Sequence, residues 1–196
     1  MRHTIAFLTS LILVVTLLTG YSSNTTFKNS PVELISAYAD IRDDYYEEIE
    51  VIDGEQKGMV YQLISLNYYI VIRNNSNEKL GDMSNFNRRT YRFEDGIELS
   101  IEPKNKLKKV TRDIFGAEDL SEHFGIGRSG PPEIEPGKEQ KYIFDYVLGS
   151  NKKNPEIKLA PPKEQLDKLK QNAMEAVLVV SLKGEEIARF DLAKTN

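Results

Sequence analysis

The fold is decided above all by one stretch, Tyr61-Gln62-Leu63-Ile64-Ser65-Leu66-Asn67-Tyr68-Tyr69-Ile70-Val71-Ile72-Arg73. β-Branched and aromatic residues dominate it, and these residue types fit a pleated, half-buried surface. Side chains alternate between the two faces of a strand, so every second residue shares a face. One such face is apolar throughout and should meet the core: Ile64, Leu66, Tyr68, Ile70 and Ile72. Asn74-Asn75-Ser76-Asn77 then ends the strand, because Asn tolerates the left-handed backbone of turns.

Two further stretches have the same character. Residues 140–148 place Tyr142, Phe144, Tyr146 and Leu148 on one face, after the turn Ile134-Glu135-Pro136-Gly137. Residues 176–182 and 186–192 flank Lys183-Gly184 and form a candidate closing hairpin. The chain therefore consists mainly of strands joined by turns, rather than of alternating strands and helices.

Weaker strands are predicted at residues 32–38, 45–52, 91–93 and 97–101, and one helix at residues 162–174, where Pro162 stands at its start. The predicted fold is mainly β: an antiparallel, immunoglobulin-like sandwich with one short helix near the C-terminal third. The predicted boundaries are a signal peptide at residues 1–21, a polar linker at residues 22–30 and a single sandwich domain at residues 31–196.

Composition excludes several classes of function. The 196 residues carry a net charge of −4, which argues against nucleic-acid binding, since such proteins gather Lys and Arg on one face. The chain has no cysteine, which removes disulfides, thiolate metal sites and cysteine nucleophiles together. We expect a fold held by packing alone and no cofactor.

The N-terminal residues look like an export signal. Arg2 precedes an apolar run at residues 5–18, which has the length of a signal-peptide core and is short for a membrane span. The next residues resemble the lipobox of bacterial lipoproteins: Leu18, Thr19, Gly20 and Tyr21. Tyr21 stands where that motif has its lipid-bearing Cys, and a phenol cannot replace the thiol as nucleophile. We expect an extracytoplasmic protein, either secreted or anchored to the outer face of the cytoplasmic membrane, with membrane association only through the leader.

The order of these parts resembles a family of small Gram-positive, Bacillus-type lipoproteins with a telokin-like, immunoglobulin-like domain of unknown function. The resemblance rests on Ile70-Val71-Ile72-Arg73-Asn74-Asn75-Ser76, on the turn at residues 134–137 before Tyr142-Ile143-Phe144-Asp145-Tyr146, and on the closing hairpin. It implies the sandwich fold and brings no catalytic residues. The Cys and Trp markers of antibody domains are absent, which excludes only that version of the fold.

Two features of the sequence suggest nucleotide binding or catalysis, but each has a simpler structural explanation. Gly125-Ile126-Gly127-Arg128-Ser129-Gly130 fits the dinucleotide pattern, but Pro131-Pro132 follows, where the motif needs a helix, so a flexible surface loop is expected. His123 is the one histidine outside the leader, and no nucleophile motif accompanies it. We expect no catalytic or metal role for His123.

Two charged segments leave alternatives open. Asp40, Asp43, Asp44 and Glu47 could hold Ca²⁺, but the spacing of a calcium loop is missing, and a strand at residues 45–52 would point alternate carboxylates to opposite faces. We favour the interpretation that these acidic residues form a solvated charged edge. The basic run after Pro103 could meet an anionic polymer or headgroups, and a solvated loop is favoured there: Lys104, Lys106, Lys108, Lys109 and Arg112.

The sequence therefore predicts an exported, cell-envelope-associated binding or structural module without catalytic activity. Its partner would be an envelope protein or polymer. The alternatives are a secreted hydrolase that uses paired carboxylates and a calcium-binding accessory protein.

Overall fold

The computed structural model describes residues 30–90, 92–123, 126–154 and 157–195, with the backbone alone at residues 122, 123 and 126. The strands in this part of the chain are β1 (Val32–Arg42), β2 (Ile49–Glu50), β3 (Val60–Tyr61), β4 (Leu63–Asn74), β5 (Phe86–Asn87), β6 (Arg92–Phe93), β7 (Ile97–Pro103), β8 (Ile126–Ser129), β9 (Glu139–Ser150), β10 (Ala176–Leu182) and β11 (Glu185–Asp191). The helices are α1 (Asn105–Phe115), α2 (Leu120–His123) and α3 (Lys163–Asn172), and a short 3-10 helix follows at Leu192–Lys194.

The larger sheet has the strand order β1-β4-β9-β8, and every neighbouring pair is antiparallel. The register places Tyr68 of β4 opposite Phe144 of β9, and Ile70 opposite Tyr142. All four side chains are buried. The faces predicted from the two-residue period are therefore correct for both long strands.

The smaller sheet has the order β11-β10-β7 and is also antiparallel. Lys183 and Gly184, between β10 and β11, both have positive φ, of 53° and 79°. That combination defines the tight turn whose twist matches a two-stranded hairpin. The predicted closing hairpin is confirmed.

The main core lies between the two sheets. It joins the inner face of β4 and β9 to buried residues of the smaller sheet such as Leu99, Leu178 and Val180. The Tyr68 hydroxyl donates to the carbonyl of Ala173, at 2.8 Å, just after α3. Leu169 of α3 is fully buried in the same core. The prediction of a mainly β, antiparallel sandwich with a helix near the C-terminal third is confirmed, whereas the immunoglobulin-like topology stays a prediction.

A second long helix, α1, replaces the loop predicted for the basic run. Leu107, Val110 and Ile114 recur at helical spacing, and the first two are buried against the core. Lys108 and Lys109 interrupt the apolar residues in the sequence and obscured this pattern. Gly116 ends the helix in the left-handed conformation, with φ of 78°.

Two other local predictions are wrong. Residues 45–52 do not form one strand: Ile49–Glu50 pairs with Val60–Tyr61, and the chain bends before it. Residues 126–129 are the edge strand β8 and not a flexible loop. Gly127 permits this, because a Cβ at that position would collide with the carboxylate of Asp145 on β9.

The remaining predictions about the N-terminus, the signal peptide, the lipobox-like residues and the linker up to residue 29, lie outside the described residues, as do Tyr91 and Gly125. Within the described ranges, no helix has the length and apolar character to span a membrane.

Candidate functional site

An open groove of about 690 Å³ lies between β7, one of the two edge strands of the smaller sheet, and the strands β8 and β9. We call it the edge groove. The β5–β6 hairpin also contributes to its wall. Its principal lining residues are Arg92, Phe93, Ile97, Leu99, Arg128 and Phe144.

The floor of the edge groove is apolar and rigid. Phe144, Tyr142, Ile97 and Leu99 belong to the main core and are each less than a tenth exposed. The Tyr142 hydroxyl donates to the carbonyl of Pro131 at 2.9 Å, which ties β9 to the segment after β8. Because these side chains are already held by the fold, a ligand would meet a preformed surface.

Two arginines stand over this floor. The Arg128 guanidinium lies 5.8 Å from the centre of the Phe144 ring, within the range of a cation–π contact. No ion pair joins Arg128 to any carboxylate in the described ranges, and the residue is exposed. Arg92 lies 3.6 Å from Glu98, the one carboxylate among the described residues of the lining. The groove therefore has an excess of positive charge.

The backbone of β7 offers unpaired polar groups at this groove. In an antiparallel pair, residues alternate between those that exchange both hydrogen bonds with the partner strand and those that exchange none. The Ile97 N–H donates to the carbonyl of Pro132 at 2.7 Å and so points away from β10. Leu99 follows two residues later in an unbroken register with Val180, so its N–H and C=O point the same way. Neither group has a partner among the described residues.

The acidic residues proposed as a calcium site do not converge. Asp40 pairs with Lys170 of α3 at 2.5 Å, and this contact lowers the pKa of its carboxyl below the ordinary value. Asp44 pairs with Arg42 at 2.7 Å, which likewise lowers the pKa of Asp44. The oxygen atoms that a calcium ion would need are directed to basic side chains instead. The described residues contain no group of three or more His, Cys, Asp or Glu side chains placed to hold a metal.

Asp43 and Glu47, the other two members of that set, lie in the bend after β1 and just beyond it. No salt bridge involves them in the part of the chain that the structure describes. Both follow Arg42, the last residue of β1, whereas Asp40 lies within that strand.

The basic run is largely neutralised within the fold. Four of its five charges form ion pairs: Lys104 with Asp191, Lys106 with Glu175, Lys109 with Asp113 and Arg112 with Glu118. Most of these pairs are exposed and contribute little to stability. Their consequence is that α1 presents few uncompensated charges to an anionic polymer.

The backbone of His123 lies at the end of α2, and its side chain is outside the described residues. After β8 the chain passes through Pro131 and the turn before β9, with no helix between them. The dinucleotide motif therefore lacks the helix N-terminus on which pyrophosphate binding depends.

A polar cluster on the outer face of the larger sheet was not found from the sequence. The Tyr46 hydroxyl donates to the Asp145 carboxylate, which is 5% exposed, and Ser65 donates to Asn67 Oδ1 at 2.9 Å. Burial, together with the bond to Asp145, raises the pKa of the Tyr46 phenol. The Tyr46–Asp145 bond joins the segment after β1 to the sheet, on the face opposite the edge groove.

The residues of the edge groove were also missed as a set, because they come from strands far apart in sequence. Arg92, Leu99 and Arg128 carry no shared motif, and only the pairing of strands brings them together. Comparison with protein-family models, with curated proteins and with solved structures gives no match to this chain.

Proposed function

We propose that this protein is an exported, cell-envelope-associated binding module that performs no chemistry, and that the edge groove is its binding site. The single observation that carries the proposal is the groove itself: a preformed apolar floor, unpaired backbone groups at one wall and an arginine without a carboxylate partner. Such a combination of an apolar surface with few polar anchors is typical of ligand sites. The immunoglobulin-like topology and the Gram-positive lipoprotein origin belong to the same proposal.

The location part of the proposal rests on the leader, with its apolar run and lipobox-like end at Tyr21. A module of this kind would work outside the cytoplasm, where the partner would be an envelope protein or polymer. The anionic surface of the cell envelope suits a groove whose charge is positive rather than negative.

The hydrolase alternative has less support. Carboxylate-dependent hydrolysis needs two acids that face one substrate. Glu98 is the one acid among the described lining residues, and Arg92 stands beside it. Asp145 is buried on the outer face of the sheet, where the phenol of Tyr46 covers it. The two carboxylates are thus placed on different surfaces.

The proposal is tested by photo-crosslinking in a Gram-positive host. A photoreactive benzoylphenylalanine replaces Ser121, an exposed residue at the rim of the edge groove. The matched control carries the same group at Lys141, an exposed residue of β9 that lies outside the groove lining. We expect a discrete crosslinked product in the envelope fraction from position 121 and none from position 141.

Equal products from both positions, or a product found in the cytoplasmic fraction, would contradict the proposal. A second measurement distinguishes binding from catalysis. The crosslinked partner is isolated, and its mass is compared with that of the same component from cells that lack the protein. A cleaved or modified partner would favour the hydrolase alternative.

A further inference from the structure

We infer that the edge groove takes an extended peptide segment, which pairs with the free edge of β7 and places a carboxylate at Arg128. This inference rests on the proposed function and names the chemistry of the partner at the same site. Its mode is the addition of a strand to an exposed sheet edge, in which backbone hydrogen bonds provide affinity and side-chain pockets provide specificity.

The first observation is the unpaired outer edge of β7 at the edge groove. The larger sheet has four strands and the smaller has three, and no strand among the described residues pairs with the outer edge of β7. The N–H and C=O of Leu99 point away from β10 toward the edge groove, and no described residue forms a hydrogen bond with them. An extended chain is the ligand that can use a donor and an acceptor from the same residue of a strand.

The second observation is the length of edge that remains free. At one end the carbonyl of Pro132 already accepts from the Ile97 N–H. At the other end, Ile101 and Pro103 pack with Leu107 of α1 and Leu120 of α2 around a space of about 10 Å³. The free edge is therefore a short one centred on Leu99. The edge groove, with a volume of about 690 Å³, suits a segment of a few residues and not a folded element.

The third observation is charge. Arg128 faces the groove from β8 in register with Phe144, and its guanidinium has no carboxylate partner in the described ranges. Arg92 adds a second positive group, which Glu98 offsets. A guanidinium binds a carboxylate through two parallel hydrogen bonds, so an acidic side chain or a terminal carboxylate on the peptide would complete the site.

The apolar floor defines the rest of the segment. In an extended peptide, alternate side chains point to one side. A residue next to the carboxylate would lie against Phe93 and Pro132, apolar lining residues that are only partly buried, and an apolar side chain there would remove their remaining surface from water. The segment expected is therefore one that alternates apolar and polar residues and contains an acid.

The probe is a fluorescent hexapeptide of alternating valine and threonine with one central glutamate, and binding to the full chain is measured by fluorescence anisotropy. Two matched peptides accompany it: one with glutamine in place of glutamate, and one with methylated backbone nitrogens. The protein variants are Arg128→Gln and the control Lys141→Gln, which removes a positive charge outside the groove. Thermal unfolding of each variant confirms that it is folded.

We expect the glutamate peptide to bind, the glutamine peptide to bind more weakly by on the order of tenfold, and the methylated peptide to lose binding. Arg128→Gln should lower affinity for the glutamate peptide to that of the glutamine peptide, whereas Lys141→Gln should change neither. Equal binding of the methylated peptide, an unchanged affinity in Arg128→Gln, or no binding of any peptide would overturn the inference. A groove-specific crosslink from position 121 together with no peptide binding would leave the proposed function standing and refute the peptide alone.

Discussion

Three buried tyrosines should make the stability of this protein fall steeply in alkali. Tyr68, Tyr142 and Tyr146 are 1%, 6% and 4% exposed, and burial raises the pKa of each phenol above the ordinary value of 10.0. The hydroxyls of Tyr68 and Tyr142 also donate hydrogen bonds to backbone carbonyls. In the unfolded chain these phenols lose their protons near pH 10, whereas in the folded chain they keep them.

The direction and size of this effect of pH on stability follow from proton linkage. Between the unfolded and folded pKa values the native state binds more protons than the unfolded state, so the free energy of unfolding falls as pH rises. Each such tyrosine contributes about 1.4 kcal/mol per pH unit, so these three contribute about 4 kcal/mol per unit, and the raised pKa of Tyr46 acts in the same direction. Below pH 10 this contribution is fully present. A domain with about 5–15 kcal/mol of stability should then unfold within a few pH units above 10.

Tyrosinate absorbance and circular dichroism are recorded on the same samples, and the absence of tryptophan leaves the near-ultraviolet signal to tyrosine. The variant Tyr146→Phe should reduce the pH slope of the unfolding free energy by about 1.4 kcal/mol per unit. Val180→Ala, which changes a fully buried residue without a titrating group, should lower stability and leave that slope unchanged. Ionisation of all ten tyrosines near pH 10 with the secondary structure intact would refute the reasoning.

Four further outcomes are expected. Ile72→Ala should lower the free energy of unfolding by about 2–5 kcal/mol in urea titration, because Ile72 is fully buried between the sheets. Gly81→Ala should lower the free energy of unfolding by more than about 1 kcal/mol, because φ is +82° and a Cβ would meet the Pro132 carbonyl. Gly184→Ala should lower it less in the same titration, because φ is +79° but the space around a Cβ is open. Calcium should leave the thermal midpoint equal to that in chelator, because Asp40 and Asp44 pair with basic side chains and the described residues include no group of three carboxylates placed to hold a metal. Tyr21→Cys should permit labelling by a fatty-acid probe in a Gram-positive host, whereas the unchanged chain should stay unlabelled.

The sequence identified the long strands because their patterning is local and repetitive. Every second residue from Leu66 to Ile72 is apolar and buried, and the same holds from Tyr142 to Leu148. The helix α1 was missed although Leu107 and Val110 have helical spacing, because five basic residues within nine positions suggested a solvated loop. The edge strand β8 was missed because it is four residues long and is stabilised by pairing with a distant strand.

The candidate site could not be found from local patterns. The edge groove exists because β7 is the outermost strand of its sheet, and that position depends on which strands pair over long separations. Arg128 acquires its significance from its register with Phe144, sixteen positions later. Neither residue is unusual in its own segment, so the excess of positive charge in the groove emerges only from the assembled fold.

The position of β7 at the edge groove also bears on aggregation. An unpaired strand edge ordinarily invites the sheet of a second molecule to polymerise on it. Here the free edge lines a groove between the β5–β6 hairpin and β8, and we expect these neighbouring elements to hinder the approach of a second folded sheet to Leu99. The long outer edge β1 is protected differently, by the bulge between Leu34 and Ser36, which interrupts its regular pairing surface. We therefore expect the walls of the edge groove that would admit one extended chain also to oppose sheet-to-sheet assembly.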